Sequence, residues 1–545
     1  MIENSNLPSL TGSSDTNIVK SKVPFRKKFF NIIFGKTIPQ RILRIYLLTV
    51  VFGSLLLASP FCLNSIGGIQ LNGYTNAGDL YNFWDAFFLS CSAFSSTGLT
   101  TVSIYDYLNA GGQVVIMLLM ELGGLGLITI IFIIWNAFRK LNMVDLQQIA
   151  ILQVERGSSK LGESFKNVRT AALFMLSMQI ICAFLLSFCF CFIPAYTQTT
   201  YTLADGTQSL LSIDTDTLVP MYGDYAYSLW SGLFVSVSGA NNGGMDIVSD
   251  FYSMAPYRND LGVILQFITL FEFVIGGLGL PLIFDIIQKM KLKKHGVTKY
   301  KFSLFSKVAL LSYVVVAVVG LIFAYSFEYG AAALNPDALN SIINCDKDGA
   351  FGQAEWFNKN WAIFYNTMST RSCGFSTVNC EALSTGTKWT FIIMMFIGAS
   401  PSSSGGGIRN TTFIIMIAAI WTMIRGKKEV HLFKKTISQE TVNNSFVITI
   451  MAIIWVSLVS IIVFYSIPGE AQDGLVSSYF EVASAFGTVG LSVNITHEIK
   501  WWGLIFICLT MFIGQLGISN TLLSWTKKNP KGKSVHYPEE PVRIG

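Results

Sequence analysis

The sequence predicts an all-α integral membrane protein of four pseudo-repeated membrane–pore–membrane units, with eight spanning helices and four re-entrant pore helices around one pore. Its composition, its long apolar runs and a repeated glycine-bearing segment predict this fold. The 545 residues are 52% hydrophobic and only 13% charged, whereas soluble proteins carry about 25% charged residues. The chain therefore has too little polar surface to cover a soluble globule of its size.

Eight apolar runs are long enough to cross a bilayer, because a spanning helix needs about 20 apolar residues. The runs favour one membrane domain over the several soluble domains that the chain length alone would suggest. They cover residues 43–63, 113–138, 168–193, 261–288, 304–327, 389–424, 446–467 and 501–524.

Charge is distributed unevenly between these runs. Residues 20–44 hold eight Lys or Arg and no acid, and residues 286–302 hold six Lys and no acid. The alternate gaps at 64–82 and 195–228 hold acids and no Lys or Arg. Because basic loops stay in the cytoplasm, the pattern predicts a multi-pass protein of the plasma membrane with both termini cytoplasmic.

A short segment, too brief to span a membrane, repeats four times between the runs. Each copy holds a glycine with a phenylalanine ten residues before it and a large apolar residue directly after it, which indicates an internal repeat. A second glycine follows 24, 25 or 32 residues later, inside the next run. The aligned glycines are Gly98, Gly244, Gly374 and Gly490, and the phenylalanines are Phe88, Phe234, Phe364 and Phe480.

The repeat divides the chain into units that each contain a span, a re-entrant segment with its loop, and a second span. The predicted divisions are a basic N-terminal segment at 1–41, units at 42–140, 168–290, 303–425 and 446–526, and a C-terminal tail at 527–545.

Four re-entrant segments in one chain can surround a common axis. Irregular backbone at membrane depth survives only where it lines water or packs on protein. A half-helix that enters from outside turns its C-terminal end inward, where a partial charge of about −0.5 favours a cation. Glycine lets the following loop turn carbonyl groups toward the axis, and rings of carbonyls replace the hydration shell of a cation. The sequence therefore predicts a cation pathway.

The predicted ion-binding residues are the three that end at each aligned glycine. Their side chains differ among the copies, which favours binding through the backbone. The alternative is that the glycines only permit close helix packing, an explanation that suits glycines within the spans, such as Gly123 and Gly276. The predicted binding residues are Ser96, Thr97, Gly98, Asn242, Gly243, Gly244, Ser372, Cys373, Gly374, Thr488, Val489 and Gly490.

The sixth run contains a segment that opposes helix formation. Residues Gly398–Gly407 read GASPSSSGGG. Pro401 lacks a backbone donor and three successive glycines disfavour helix. We therefore expect the helix to break near the middle of the membrane, and a purely structural kink is the alternative to a functional loop.

At this point the sequence resembles the Trk/Ktr/HKT superfamily of potassium transporters, most closely the membrane subunit of bacterial Ktr systems. The segments SSTGLTTV, GANNGGMDI, STRSCGFSTV, GTVGLSVN and MFIGASPSSSGGGIRNTTF carry the resemblance, as does the ending HYPEEPVRIG. The resemblance implies K⁺ uptake through a backbone-carbonyl filter, with K⁺ as the transported metal ion and Na⁺ as a candidate activator. It also implies a homodimer, a separate cytoplasmic nucleotide-binding (RCK-type) regulatory ring, no organic cofactor in this chain and no nucleic acid partner.

The resemblance further implies that the break in the sixth run is an intramembrane gating loop at 398–407. Relatives usually carry an arginine after MFIG in the last span, where it is thought to contact this loop, and here that position is Gln515. The gate is therefore expected to be held differently, with Arg409 either anchoring it or repelling cations. The implied gating residues are Gly398, Ser400, Pro401, Ser402, Ser403, Ser404, Gly405, Gly406, Gly407, Arg409 and Gln515.

Two other functions compete with K⁺ uptake. A sodium-selective or non-selective cation pathway is possible, although plant relatives that favour Na⁺ carry serine at the position of Gly98. An intramembrane enzyme or scaffold is disfavoured, since no His/Ser/Asp triad or HExxH motif is present. We expect Glu121 and Glu272 to be hydrogen-bonding groups in helix packing, and Arg371 to support the filter without touching the ion.

Overall fold

The described part of the chain is helical apart from turns, loops and two short antiparallel hairpins. A computed structural model describes residues 38–63, 81–126, 129–130, 164–199, 212–248, 254–296, 300–334, 355–427, 429–467 and 474–518. The predicted all-α class is confirmed, and the predicted tail at 527–545 lies outside the described residues. The hairpins pair β1 (Tyr196–Thr199) with β2 (Ser212–Leu218) and β3 (His431–Leu432) with β4 (Lys435–Thr436).

Four helices within the described ranges are long and apolar enough to cross a membrane alone, and the count rises to five if one bent pair is taken as a single span. Each of the four stands at the first-span position of a predicted unit, and each is a continuous apolar run with at most two charges in its spanning window. They are α1 (Ile38–Leu57), α5 (Ser164–Phe192), α9 (Leu304–Leu334) and α13 (Gln439–Phe464).

The helices at the second-span positions are shorter than the apolar runs predicted. Three of them end in the same motif, at a glycine whose φ of 85° (Gly126), 86° (Gly279) or 83° (Gly517) is incompatible with a continuing helix. At Gly279 the following helix, α8 (Leu280–Lys294), leaves at 102°. The helices that precede these breaks are α4 (Ala110–Gly124), α7 (Gly262–Leu278) and α15 (Trp501–Leu516).

The sixth predicted run is interrupted by a longer stretch of irregular backbone. Helix α11 (Thr385–Ile397) stops before Gly398, which has φ 62°, and α12 (Asn410–Ile424) starts after Arg409. We call residues 398–409 the inner loop. The helix break expected from proline and three glycines is therefore present.

Four short helices occupy the positions of the re-entrant segments. The first begins at Asn82, whose side chain accepts from the backbone of Trp84 and Asp85, and the second begins at Asp224 in the same way. They are α2 (Phe83–Phe94), α6 (Tyr225–Ala240), α10 (Glu355–Ser369) and α14 (Gly474–Gly487), and α3 (Ile104–Tyr107) follows the first of them.

The repeated phenylalanine explains how these short helices are held. Phe88, Phe234 and Phe480 are fully buried and belong to the apolar clusters between the short helices and the spans. Phe364 is partly buried and packs against the cluster around α10. One aromatic side chain per copy therefore packs its short helix against the neighbouring spans.

Candidate ion pathway

The four loops that follow the short helices share one backbone conformation. The residue two positions before each aligned glycine is left-handed, with φ of 51° at Ser96, 57° at Asn242, 80° at Ser372 and 47° at Thr488. Left-handed residues other than glycine are uncommon. Because the same unusual turn occurs with serine, asparagine and threonine side chains, the surrounding structure imposes it.

The aligned glycines meet one another in cyclic order. A Cβ atom built on Gly98 would collide with the carbonyl oxygen of Gly243, the residue before the next aligned glycine. Each following loop repeats this contact with its successor, and the fourth returns to the first. The remaining pairs are Gly244 with Cys373 O, Gly374 with Val489 O, and Gly490 with Thr97 O. We call these four glycines and the carbonyl groups before them the four-glycine ring.

In the first and fourth loops, hydrogen bonds to the short helices orient the peptide group before the aligned glycine. In the first loop Thr97 N donates to Ser92 O at 2.9 Å and Gly98 N donates to Ser92 Oγ at 3.1 Å. In the fourth loop Gly490 N donates to Ser484 Oγ at 3.0 Å. Because a peptide group is planar and trans, an N–H that points to the short helix leaves the preceding carbonyl pointing the opposite way, toward the ring.

A cavity of about 140 Å³ lies against the ring and is lined by all four aligned glycines. Its wall also includes Asp246, Ser376, Ser492 and His497, which come from the segments after the loops. The four loops therefore meet at one place, and a polar chamber with an acidic side chain opens onto it.

The inner loop contacts the underside of the ring at the fourth short helix. Gly406 N donates to Thr488 Oγ1 at 2.6 Å and to Gly487 O at 3.2 Å, and Gly407 N donates to Phe486 O at 3.0 Å. A Cβ atom on Gly405 would lie 2.5 Å from Ser372 Oγ. Residues that the sequence predicted to bind the ion and residues that it predicted to gate the pathway therefore touch each other.

The other side of the inner loop contacts the bend between α7 and α8. Ser400 N donates to Gly277 O and Leu280 N donates to Ser402 O, both at 3.2 Å. A Cβ atom on Gly279 would lie 2.7 Å from Pro401 O. Sequence analysis missed this contact, and the GGLG motif shared by residues 123–126 and 276–279 was the available signal.

Arg409 anchors the inner loop through backbone oxygens. Its Nη2 donates to the carbonyl of Gln515 at 2.8 Å, and its Nη1 contacts the carbonyl of Gly405. The side chain of Gln515 points elsewhere, since its Nε2 donates to Phe94 O at 3.2 Å and Gly123 O at 3.3 Å. The last span therefore contacts the loop at position 515 through its backbone, while the glutamine side chain binds the end of α2.

Arg371 lies away from the ring carbonyls. It is fully buried, its Nη1 donates to Met394 O at 3.2 Å, and its guanidinium stands 5.1 Å from the ring centre of Tyr313. It joins the third loop to α11 and α9, as expected for a supporting residue.

Two buried acids, Glu272 and Glu481, and the half-buried Glu121 hold the loops from behind. Glu121 accepts from Gln179 at 3.1 Å and from Asn241 at 2.6 Å, and Glu272 contacts Ser236. Glu481, which sequence analysis missed, accepts from Val493 N at 3.1 Å. Its signal was an acid inside the apolar segment YFEVAS.

The fold and the ring define a multi-pass membrane protein with four loops converging on one axis. The chain belongs to the TrkH family, described as cation transport protein, which matches residues 25–537. The Trk/Ktr resemblance is thereby confirmed, and so is the expectation that the chain is not an enzyme, because the family consists of transport proteins.

Relatives and a solved structure agree with this assignment. A Mycoplasma genitalium protein named an uncharacterized cation transporter is 35% identical, over 94% of this chain and 98% of its own. The Ktr system potassium uptake protein D of Bacillus subtilis is 29% identical, over 95% and 100%. The potassium transporter TrkH of Vibrio parahaemolyticus has a TM-score of 0.57 at 14% identity, covering 90% of this chain and 85% of that one, and supports the fold.

Proposed function

We propose that this chain takes up K⁺ across the plasma membrane, with the four-glycine ring as its selectivity filter. The observation that carries the proposal is the closed cyclic contact of the ring, in which each glycine lies against a carbonyl of the next loop. Relatives from Bacillus subtilis whose names describe potassium uptake support the choice of ion.

The ring would select its ion through the backbone. Carbonyl oxygens at Thr97, Gly243, Cys373 and Val489 would replace the water around a K⁺ ion, and the C-terminal ends of the four short helices would add partial negative charge. Asp246 in the outer cavity would attract cations to the ring. Ser96, Asn242, Ser372 and Thr488 would shape the turns instead of contacting the ion through their side chains.

The inner loop would act as the gate. It lies between the underside of the ring and the α7–α8 bend, and its four glycines permit it to change conformation. Arg409 would hold it in the closed position by its bonds to Gly405 and Gln515.

The complete system would contain more than this chain. We propose a homodimer with both termini cytoplasmic and a separate nucleotide-binding (RCK-type) ring that controls the gate, with Na⁺ as an activator. The names of relatives as members of a Ktr system support a multi-component assembly.

The test is uptake of radioactive Rb⁺ by cells that lack their own K⁺ uptake systems. Gly490→Ala places a methyl group against Thr97 O, whereas Gly426→Ala is at a position that also has a positive φ, of 66°, but has no atom of the described residues within 4 Å of the added methyl group. We expect the first variant to lose uptake and the second to retain it. Equal uptake in both, at equal protein levels in the membrane, would contradict the filter assignment.

A potassium/sodium pathway is the second candidate. A protein of Enterococcus hirae named potassium/sodium uptake protein is 25% identical, over 92% of this chain and 95% of its own. Competition by Na⁺ in the same Rb⁺ assay separates the two, since a K⁺ filter predicts weak competition.

A further inference from the structure

The residue that joins the inner loop to the ring is Thr488. It lies two positions before Gly490, and its hydroxyl accepts from Gly406 N at 2.6 Å while its own backbone forms the left-handed turn of the fourth loop. One residue therefore belongs both to the loop that carries the fourth ring glycine and to the contact that holds the inner loop.

The same loop also caps the end of α14. The last carbonyl groups of a helix have no partners within it and carry its partial negative charge. Here Gly407 N donates to Phe486 O at 3.0 Å and Gly406 N donates to Gly487 O at 3.2 Å. The carbonyls that would otherwise face a cation beneath the ring are thus occupied by N–H groups of the inner loop.

In the first unit, the equivalent carbonyl at the end of the short helix α2 is bound by a different group. Phe94 stands four residues before Gly98, as Phe486 stands four before Gly490. Phe94 O accepts from the side chain of Gln515 at 3.2 Å. The corresponding carbonyl of the fourth unit is bound by the inner loop itself, so its donor leaves whenever the loop moves.

The loop that follows the third short helix also contacts the end of α14 and the inner loop. Ser372 is the aligned counterpart of Thr488, and its Oγ donates to Gly487 O at 3.1 Å. It also packs against Gly405. The loop is therefore bound to the third and fourth quarters of the ring at equivalent positions.

We infer that Thr488 is a positioning residue that couples the inner loop to the ring, so that displacement of the loop and the conformation of the ring change together. The inference rests on the proposed function. Because coupling between two sites is reciprocal, cation occupancy of the ring also shifts the position of the inner loop.

The test compares Thr488→Val with Thr488→Ser in two backgrounds, the intact chain and a chain lacking Ser402–Gly407. Valine matches threonine in shape but cannot accept a hydrogen bond, whereas serine keeps the acceptor. Deletion removes the donor Gly406 and is expected to raise Rb⁺ uptake by opening the gate. In the intact chain Thr488→Val is expected to raise uptake about 2- to 10-fold, the effect of losing one hydrogen bond.

In the loop-deleted chain Thr488→Val is expected to add no further increase, because its partner is already gone. With Thr488→Ser, which keeps the acceptor, deletion of Ser402–Gly407 is again expected to raise Rb⁺ uptake, as it does in the chain with threonine. A change by the same factor in both backgrounds would show that Thr488 acts on the ring alone, and no increase in the intact chain would also overturn the inference.

A second measurement needs no transport. Ser404→Cys reports loop position through its rate of reaction with a thiol reagent added from the cytoplasmic side, relative to the chain without this cysteine. External K⁺ is expected to change the reaction rate of the Ser404→Cys chain when Thr488 is unchanged. It is expected to leave that rate unchanged when Thr488→Val is also present. An unchanged rate in both would refute coupling, whereas absent Rb⁺ uptake with a K⁺-dependent rate would refute only the transport function.

Discussion

Ser236 on α6 has more acceptors around its hydroxyl than it has protons. Its Oγ lies 2.8 Å from the carbonyl of Gln179 and in a shorter contact with Oε1 of Glu272. The single hydroxyl hydrogen is shared between these two acceptors. Ser236 therefore ties α6 to α7 through Glu272 and to α5 through Gln179, behind the ring.

Substitutions at Glu272 test this contact. Glu272→Gln keeps an oxygen that accepts from Ser236 and is expected to retain both thermal stability and Rb⁺ uptake. Glu272→Ala removes the acceptor and is expected to lower the free energy of unfolding by about 1–3 kcal/mol. Thermal denaturation of the purified protein in detergent measures both, and a Gln variant as unstable as the Ala variant would mean that an ionised carboxylate is required.

At the scale of elements, the decisive feature is the break in the second spans. Helices α4, α7 and α15 each end at a glycine with nearly the same φ. Three residues earlier, each of these helices has another glycine, which packs against the end of a short helix. In the second unit this break contacts Pro401 of the inner loop. The break therefore supplies one wall of the proposed gate.

Substitutions at Gly279 and Gly517 distinguish contact with the inner loop from backbone strain, because the two glycines have nearly the same backbone conformation. Gly279 has φ 86° and ψ 145°, and Gly517 has φ 83° and ψ 141°. An alanine Cβ at Gly279 would lie 2.7 Å from Pro401 O, whereas no atom of the described residues lies within 4 Å at Gly517. We expect Gly279→Ala to displace the loop and raise Rb⁺ uptake about 2- to 10-fold.

Gly517→Ala carries the same backbone strain and is the control. Its uptake is expected to stay near that of the unmodified chain once protein levels are equalised. If both variants raise uptake, or if neither does, the α7–α8 bend is not part of the gate.

At the scale of the whole molecule, the sequence could predict what depends on local pattern. Apolar runs predicted the four long helices α1, α5, α9 and α13, and the repeat placed Gly98, Gly244, Gly374 and Gly490 in equivalent loops. The cyclic contact that joins Gly490 back to Thr97 spans nearly 400 residues, so no local pattern could establish it. The direction of the Gln515 side chain and the contact between Gly406 and Thr488 depend on tertiary packing in the same way.

The central claim is that the four loops form one ring that selects K⁺. The most direct measurement is Rb⁺ flux into liposomes that contain the purified chain, with K⁺ or Na⁺ as the competitor. The account predicts strong competition by K⁺, weak competition by Na⁺, and a reduced preference for K⁺ when Gly98, Gly244, Gly374 or Gly490 is singly changed to serine. Equal competition by both ions, or a preference that survives all four substitutions, would contradict it.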